Sequence, residues 1–161
     1  MMNNNINVGG RLLDFRKPRV MGILNVTPDS FFADSRKQSE RDIRDRAEQI
    51  VREGATIIDV GAYSSRSGAD DVSAKEEMER LRLGLSAVRN ACPDVIVSVD
   101  TFRSDVARMC VEEYGVGIIN DISGGEMDED MFATVAKLGV AYVLMHMQGT
   151  PQSMQDSPQY G

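Results

Sequence analysis

The stretch that decides the fold runs from Val20 to Phe32 and reads VMGILNVTPDSFF. It begins as an apolar run suited to a buried strand and becomes polar at Asn25. Pro28 has no N–H to donate, so the strand should end near Val26. Ligand sites of α/β proteins are built where buried strands end in short polar side chains, which makes this stretch a candidate for such a site. The alternative interpretation is an ordinary strand followed by a Thr-Pro-Asp-Ser turn.

Composition narrows the class of protein. The chain has 161 residues, 42% of them hydrophobic and 27% charged, which is enough for one domain with a sizeable core. A net charge of −7 argues against broad attraction to nucleic acid or acidic lipid. No apolar run approaches a membrane span, and residues 1–5 do not resemble a signal peptide. Cys92 and Cys110 lie in apolar helical patterns and read as reduced thiols, so we expect a cytoplasmic protein.

One arrangement repeats along the chain: a helical pattern ends at a glycine, and a short apolar strand with a polar end follows. It occurs at Gly54, Gly115 and Gly139, and it predicts β/α repeats. Gly9-Gly10 between two short apolar runs predicts a hairpin over residues 6–15. The predicted strands are Val20–Val26, Thr56–Val60, Val95–Val99, Gly117–Asn120 and Ala141–Met145. The predicted helices are Ser39–Glu53, one behind a capping box at Ser73–Glu76, one from Ser104 and one from about Asp128.

Strands that alternate with helices predict an α/β protein with a parallel sheet and right-handed crossovers. The spacing of roughly 20 to 40 residues per unit is typical of a (β/α)8 barrel, which needs about 250 residues. The chain therefore holds about the first five β/α units of such a barrel, or else it folds as an open five-stranded sheet. In the first case residues 1–161 are a single barrel domain that is incomplete at its C-terminus.

Polar residues follow each predicted strand, and parallel strands would bring them to one rim. Oxygen-rich side chains gathered there suit a polar heterocycle or a metal-bound group, although any one of them could simply cap a loop. His146 is the single histidine, so a zinc site is not expected, whereas oxygen donors beside Asn25 suit Mg²⁺. The residues at the strand ends are Asn25, Asp59, Asp100, Thr101, Asn120, Asp121, His146 and Gln148.

The loop after the second predicted strand of the sheet, residues 61–69, is rich in small residues that let backbone N–H groups approach a ligand. Arg66 in this loop is suited to binding phosphate or carboxylate oxygens with two parallel hydrogen bonds. The alternative is a surface loop with a solvated arginine.

These motifs resemble a known family. Residues Met21–Phe31 are similar to the first signature of the dihydropteroate synthase family, and the resemblance extends in order to the last residue. The other matching segments are Asp59–Gly61 with the Ser65-Arg66 loop, Val97–Thr101, Ile118–Ile122 and Leu144–Pro151.

The resemblance implies a pterin-binding (β/α)8 barrel that takes part in folate biosynthesis. Such an enzyme condenses 4-aminobenzoate with (7,8-dihydropterin-6-yl)methyl diphosphate and releases pyrophosphate; it uses Mg²⁺, is a target of sulfonamides and forms a homodimer. The implied catalytic residues are Asp100, Asn25 and Arg66, with Asn25 also contacting Mg²⁺ and the diphosphate. The implied substrate-binding residues are Asp100 and Asn120 for the pterin, Ser65 near the diphosphate and 4-aminobenzoate, Phe31 and Arg66 on two mobile loops, and Asp59 and Met147.

The expected chemistry depends on charge. Pyrophosphate leaves readily only when its charge is neutralised by Mg²⁺ or arginine. Its departure leaves positive charge on the pterin methylene, which a carboxylate such as Asp100 would stabilise at low dielectric constant. Loop closure would exclude water, which would otherwise capture the cation.

The sequence departs from the family in two ways. Ser67 stands where the family often has proline. Serine leaves φ unrestricted at this position and so loosens the second loop. The later strands of the family, which supply an aspartate, a lysine, an arginine and a histidine to the site, are not in the chain, so we expect these 161 residues alone to be inactive. The alternatives are a pterin-dependent methyltransferase domain and a non-catalytic pterin-binding module.

Overall fold

A computed structural model describes residues 4–26, 33–63 and 72–146, with the backbone alone for 33–38. Its strands form a two-stranded antiparallel sheet and a five-stranded parallel sheet. The strands are β1 Asn5–Val8, β2 Arg11–Asp14, β3 Met21–Asn25, β4 Ile57–Gly61, β5 Ile96–Asp100, β6 Ile118–Asp121 and β7 Ala141–Leu144, and the helices are α1 Ala33–Arg52, α2 Ala74–Ala91, α3 Ser104–Tyr114 and α4 Met131–Leu138.

The parallel sheet follows the order of the chain, β3-β4-β5-β6-β7, with a helix in each connection. Consecutive helices pack against each other, α1 on α2, α2 on α3 and α3 on α4. This singly wound order confirms the predicted α/β class with a parallel sheet, and it is the order of strands in a (β/α)8 barrel. In a doubly wound sheet the order would reverse at a switch point.

One face of the parallel sheet is the apolar core. Side chains of a strand alternate between its two faces, and every second residue of the sheet packs against the helices. Leu81, Leu85 and Val88 of α2 are fully buried against this face. The sheet residues buried here are Leu24, Ile58, Val60, Val97, Val99 and Ile119.

The opposite face is apolar at one end and polar at the other. The β1–β2 hairpin turns at Gly9 and Gly10, whose φ angles of 57° and 83° are in the left-handed region that glycine tolerates. Its Val8 and Leu13 are buried against the amino-terminal half of the sheet, on Ile57, Ile96 and Ile118. The hairpin therefore covers the amino ends of the strands, and the polar residues lie at the carboxyl ends.

The strands β3 and β7 are the edges of the parallel sheet among the described residues. Ile23 on β3 is 64% exposed and Leu144 on β7 is 62% exposed. Within the described ranges, both edge strands therefore carry exposed apolar side chains.

The ends of the helices test the sequence predictions directly. Ser73 caps α2, and its Oγ accepts a hydrogen bond from the Glu76 N–H at 3.2 Å, which confirms the predicted cap. Gly115 and Gly139 follow α3 and α4 with φ angles of 63° and 66°, as the repeat predicts. The predicted start of the first helix at Ser39 is wrong, because α1 already begins at Ala33.

That error has a simple cause. Residues 33–38 read ADSRKQ and carry no apolar periodicity, so nothing in the pattern marks them as helical. The fourth helix also begins at Met131 rather than near Asp128. The Asp128 carboxylate instead accepts hydrogen bonds from the N–H groups of Ser104 and Asp130, at 2.6 and 3.0 Å. None of the helices in the described ranges combines the length and the apolar character needed to cross a bilayer.

Candidate functional site

Four residues form one row across the carboxyl ends of the strands. Asn25 of β3 is in register with Gly61 of β4, Gly61 with Asp100 of β5, and Asp100 with Asn120 of β6. Neighbouring strands lie about 4.8 Å apart, so these positions are adjacent in space. Asp59 precedes Gly61 by two residues and shares its face. The parallel sheet thus gathers Asn25, Asp59, Asp100 and Asn120, which are far apart in sequence, on one face.

Gly61 makes room for the two side chains beside it. A Cβ atom at this position would lie 3.1 Å from Asn25 Oδ1 and 3.6 Å from Asp100 Oδ2. The side chains of Asn25 and Asp100 therefore approach each other over the Gly61 backbone. Asn25 is exposed and Asp100 is partly buried, so the row passes from the surface into the protein.

Asp59 and Asn120 are joined by a hydrogen bond. Asn120 Nδ2 donates to Asp59 Oδ2 at 2.9 Å, and the Asp59 side chain is 5% exposed. Three buried polar atoms of this cluster have no hydrogen-bond partner among the described residues: Asp59 Oδ1, Asn120 Oδ1 and Ser98 Oγ. An unpaired buried polar group costs about 1–3 kcal/mol, so the cluster is suited to a polar ligand or to water.

Burial makes Asp100 a site of proton exchange near neutral pH. Burial, followed by the charges of Asp59, Glu77 and Asp121, raises the pKa of Asp100 to about 7. Its carboxyl therefore converts between a hydrogen-bond donor and a negatively charged acceptor within the physiological range. Carboxyl groups tuned in this way are common in enzyme active sites.

A buried ion pair with two aromatic rings, centred on Arg103, lies beside this row, and it was not predicted from the sequence. The Arg103 guanidinium stacks on the rings of Phe102 and Tyr63, at 4.7 and 5.6 Å from their centroids. It pairs with Glu77 and donates to the Val72 carbonyl at 2.8 Å. Arg103 thus connects the two residues that flank residues 64–71, namely Tyr63 and Val72.

A signal for this cluster does exist in the sequence. Glu77 precedes Leu81 by four residues on α2, so it falls on the inward-facing stripe of that helix. A carboxylate at an apolar position needs a cationic partner, and the partner is Arg103. Burial raises the pKa of Glu77, while hydrogen bonds from Thr101 and Arg103 oppose the shift.

Other strand-end residues have structural roles, as the alternative interpretation predicts. Asp121 is fully buried, and its carboxylate accepts hydrogen bonds from the Ser123 N–H and hydroxyl, the Gly125 N–H and the Tyr142 hydroxyl, at 2.7–3.0 Å. Thr101 Oγ1 accepts from the Arg103 N–H at 3.2 Å and closes a turn. His146 follows β7 and is exposed.

Several predicted site residues lie outside the described residues. These are Phe31, Ser65, Arg66 and Met147, together with Ser67 and Gln148. Their roles stay predictions from the sequence. The structure brings together the other four predicted residues, Asn25, Asp59, Asp100 and Asn120.

The described side chains offer few ligands for a divalent cation. Within the described ranges, no three or more His, Cys, Asp or Glu side chains are placed to hold a metal ion. Asn25 offers a single carboxamide oxygen at the exposed end of the row, beside the space that Gly61 leaves. One protein oxygen fits Mg²⁺, which commonly keeps several waters and binds substrate phosphates.

Comparisons with known proteins identify relatives of this chain. A family model described as pterin binding enzyme matches residues 21–161. A mitochondrial folate synthesis bifunctional protein of Pisum sativum is 48% identical over 154 residues, covering 93% of this chain and 30% of that protein. A dihydropteroate synthase of Synechocystis sp. is 41% identical over 155 residues, covering 96% of this chain and 53% of that enzyme.

Solved structures are similar as well. The dihydropteroate synthase of Xanthomonas albilineans with 4-aminobenzoic acid has a TM-score of 0.79 at 35% identity, over 91% of this chain and 53% of that one. The enzyme of Burkholderia cenocepacia complexed with 7,8-dihydropteroate has a TM-score of 0.76 at 35% identity, over 98% and 51%. The chain spans about half the length of these synthases, and its parallel strands with the helices between them share the barrel fold of that half.

Proposed function

The chain belongs to the pterin binding enzyme family, and from this we propose that it is part of a dihydropteroate synthase. The proposed reaction joins 4-aminobenzoate to (7,8-dihydropterin-6-yl)methyl diphosphate and gives 7,8-dihydropteroate and pyrophosphate, a step of folate biosynthesis. The observation that supports it is the row of Asn25, Asp100 and Asn120 at the carboxyl ends of the strands, with Asp59 one layer deeper. The chain that carries this row is 41% identical to a dihydropteroate synthase.

The buried half of the row is suited to a pterin. The edge of a pterin ring carries an amino group and ring N–H groups, which are hydrogen-bond donors. The buried cluster offers acceptors: Asn120 Oδ1, Asp59 Oδ1 and the carboxylate of Asp100. In this proposal Asp100 and Asn120 hold the pterin.

The chemical step needs charge stabilisation at two places. The bond between the methylene carbon and the diphosphate oxygen breaks, and the amine nitrogen of 4-aminobenzoate forms the new C–N bond and loses a proton. Asp100 in its ionised form would stabilise positive charge on the pterin, because a buried carboxylate acts at low dielectric constant. Ser65 and Arg66 would bind the diphosphate, while Phe31, Arg66 and Met147 would contact the organic parts of the substrates.

The exposed end of the row is the proposed metal position. Asn25 would supply one oxygen ligand to Mg²⁺, and its position over Gly61 leaves space for the diphosphate beside it. When bound, Mg²⁺ supplies neutralisation of the leaving-group charge. Neither Asp59 nor Asp100 needs to act as a ligand in this arrangement.

Three finer properties are also part of the proposal. The parent enzyme is proposed to be a homodimer and to be located in the cytoplasm. The free thiols of Cys92 and Cys110 support a reducing compartment, because disulfides are rare there. Sulfonamides would compete with 4-aminobenzoate, and the related synthase of Yersinia pestis has been solved with a sulfonamide drug complex.

Product formation tests the proposal. A gene product that extends over the full length of a synthase should form dihydropteroate from the two substrates, and the Asp100→Asn variant should form far less. The present 161 residues, which cover half of that length, should give no turnover. Dihydropteroate formation by these 161 residues would contradict the expectation for the isolated chain, and its absence from a complete protein that is folded would contradict the proposed function.

A pterin-dependent methyltransferase domain is the second candidate, because Asn25 alone among the described residues belongs to the proposed diphosphate half of the site. The two functions differ in their need for diphosphate. Binding of the pterin diphosphate that weakens strongly in EDTA supports the synthase, whereas equal binding with and without chelator supports the methyltransferase.

A further inference from the structure

We propose that Asp59 is a positioning residue that holds the Asn120 amide with its oxygen toward the ligand. Asn120 then acts as a hydrogen-bond acceptor and selects a ligand edge with N–H donors. The identity of that ligand as a pterin rests on the proposed function. The orientation of the amide rests on the contacts within the cluster.

The chemistry of the pair fixes the orientation. An ionised carboxylate can only accept hydrogen bonds, so the group that Asn120 presents to Asp59 must be its NH₂. The contact of 2.9 Å from Asn120 Nδ2 to Asp59 Oδ2 has this arrangement. Because a carboxamide is planar, its oxygen faces the opposite way, and Asn120 Oδ1 is buried with no partner among the described residues.

The location of Asp59 gives it this role. It lies on β4, the second strand of the parallel sheet, and is in register with Ser98, whose buried hydroxyl has no partner among the described residues. Asp59 is thus one layer deeper than Asp100 and Asn120, which form the layer nearer the carboxyl rim. A residue in this position supports the ligand-binding layer from below.

Without the Asp59 carboxylate, none of the hydrogen bonds between described side chains favours one orientation of the Asn120 amide. The two ends of a carboxamide have nearly the same shape, so a flipped Asn120 would fit the same space. It would then present NH₂ to the N–H groups of the ligand. Placing a donor opposite a donor should weaken binding by about 10- to 100-fold.

The test uses three variants that change charge in a controlled way. In Asp59→Asn, the new amide can donate to Asn120 Oδ1 and turn the NH₂ of Asn120 to the ligand. Asn120→Asp places two carboxylates against each other. The double variant Asp59→Asn/Asn120→Asp reverses the pair, so that position 59 donates and position 120 again presents an acceptor, with the net charge of the wild type.

Binding of two ligands is measured for each variant by calorimetry. The ligands are 6-hydroxymethylpterin and the corresponding lumazine, in which a carbonyl replaces the 2-amino donor. We expect the wild type to prefer the pterin, both single variants to bind it about 10- to 100-fold more weakly and Asp59→Asn to lose the preference. The double variant should recover both the affinity and the preference.

A role in stability alone predicts a different pattern. It would lower the melting temperature and leave the preference between the two ligands unchanged. Retention of that preference by folded Asp59→Asn, or a double variant as weak as the single variants, would overturn the proposal.

A second measurement does not depend on how the variants fold. In the wild type, the side-chain NH₂ of Asn120 should give NMR signals that are protected from exchange and shift little on addition of ligand, because it is bonded to Asp59. Unprotected signals would overturn the assignment of the orientation. If a complete protein that contains this chain binds neither pteridine but keeps a protected NH₂, the proposed function is contradicted and the orientation by Asp59 stays intact.

Discussion

Arg103 forms an ion pair with Glu77, a fully buried residue of α2. Arg103 also donates to the Val72 carbonyl and stacks on two aromatic rings, so several contacts fix its side chain. A pair of this kind is hard to break, because removing one partner leaves the other as an uncompensated buried charge.

Replacement of Arg103 by methionine should therefore destabilise the chain by about 3 kcal/mol at pH 7. Burial already raises the pKa of Glu77, and loss of Arg103 should raise it further. The cost should then shrink as the pH falls and Glu77 becomes protonated. Urea unfolding at pH 5 and pH 7 measures both effects.

The matched control for this prediction is Arg82→Met. Arg82 pairs with Glu113 at 2.8 Å, but both side chains are more than 40% exposed. Such a surface pair contributes about 0–1 kcal/mol. Similar losses in the two variants would contradict the importance of burial for the Arg103–Glu77 pair.

Ligand binding should depend on the protonation of Asp100. Its pKa of about 7 means that the carboxylate, which accepts hydrogen bonds from a pterin edge, is depleted below neutral pH. The apparent Kd for the pterin should rise by up to about tenfold for each pH unit below 7 and be flat above 8. Asp100→Asn should bind weakly with no such pH dependence, and a wild-type Kd that is constant from pH 5 to 8 would be the contrary result.

The same carboxyl should make the stability of the unliganded chain fall as the pH rises. Its pKa is about 7 in the folded state against 3.8 for an unperturbed aspartate, so the folded chain holds one more proton between these values. Stability therefore decreases across this window, by at most about 1.4 kcal/mol per pH unit. Asp100→Asn should be more stable than the wild type at pH 8 by ~1–3 kcal/mol, and this gain should vanish near pH 4. Thermal melts of both proteins at the two pH values provide the measurement.

Replacement of Gly61 by alanine should affect the site more than the fold. The new Cβ would lie 3.1 Å from Asn25 Oδ1, so the Asn25 side chain must move from its place beside Asp100. We expect Mg²⁺-dependent binding of the pterin diphosphate to weaken by about tenfold, equivalent to 1.4 kcal/mol. Calorimetry with and without Mg²⁺ measures this loss.

Gly139→Ala is the control for that substitution. Gly139 ends the fourth helix with a φ of 66°, far from the row of polar residues, and has nothing within 4 Å of its Cβ position. An alanine held in this left-handed conformation should lower the free energy of unfolding by about 1 kcal/mol and leave ligand binding unchanged. If both alanine variants bind the diphosphate equally well, the close approach at Gly61 is not important for binding.

Ser67 permits a prediction from the sequence alone, since it lies outside the described residues. Proline is common at this position in the family and would restrict φ. A complete enzyme carrying Ser67→Pro should therefore bind 4-aminobenzoate and sulfonamides more tightly than the natural chain. Equal dissociation constants for the two proteins would refute the hypothesis.

Much of the fold could be predicted from local patterns. The glycines at 115 and 139 and the cap at Ser73 act within one turn of a helix, so the sequence around them contains the whole signal. The start of the first helix could not be predicted, because residues 33–38 lack an apolar stripe. A signal that depends on periodicity fails where a helix begins in a polar segment.

The site was predictable as a set of residues and not as a set of contacts. The polar ends of the strands identify Asn25, Asp100 and Asn120, since parallel strands bring their carboxyl ends together. The bond between Asp59 and Asn120 depends on the register of strands 61 residues apart, which no local pattern contains. The partner of Glu77 could not be predicted from local sequence either, although a glutamate on an apolar stripe does indicate that a cationic partner is needed.

The N-terminal hairpin packs on the amino ends of the strands, and the candidate ligand site lies at their carboxyl ends. Its Val8 and Leu13 pack on Ile57, whereas Gly61, four residues further along the same strand, belongs to the polar row. At about 3.3 Å per residue these positions are ~13 Å apart. Substitutions under the hairpin can thus change how firmly the chain folds without touching ligand recognition, so evolution can adjust thermal tolerance and substrate choice at opposite ends of one sheet.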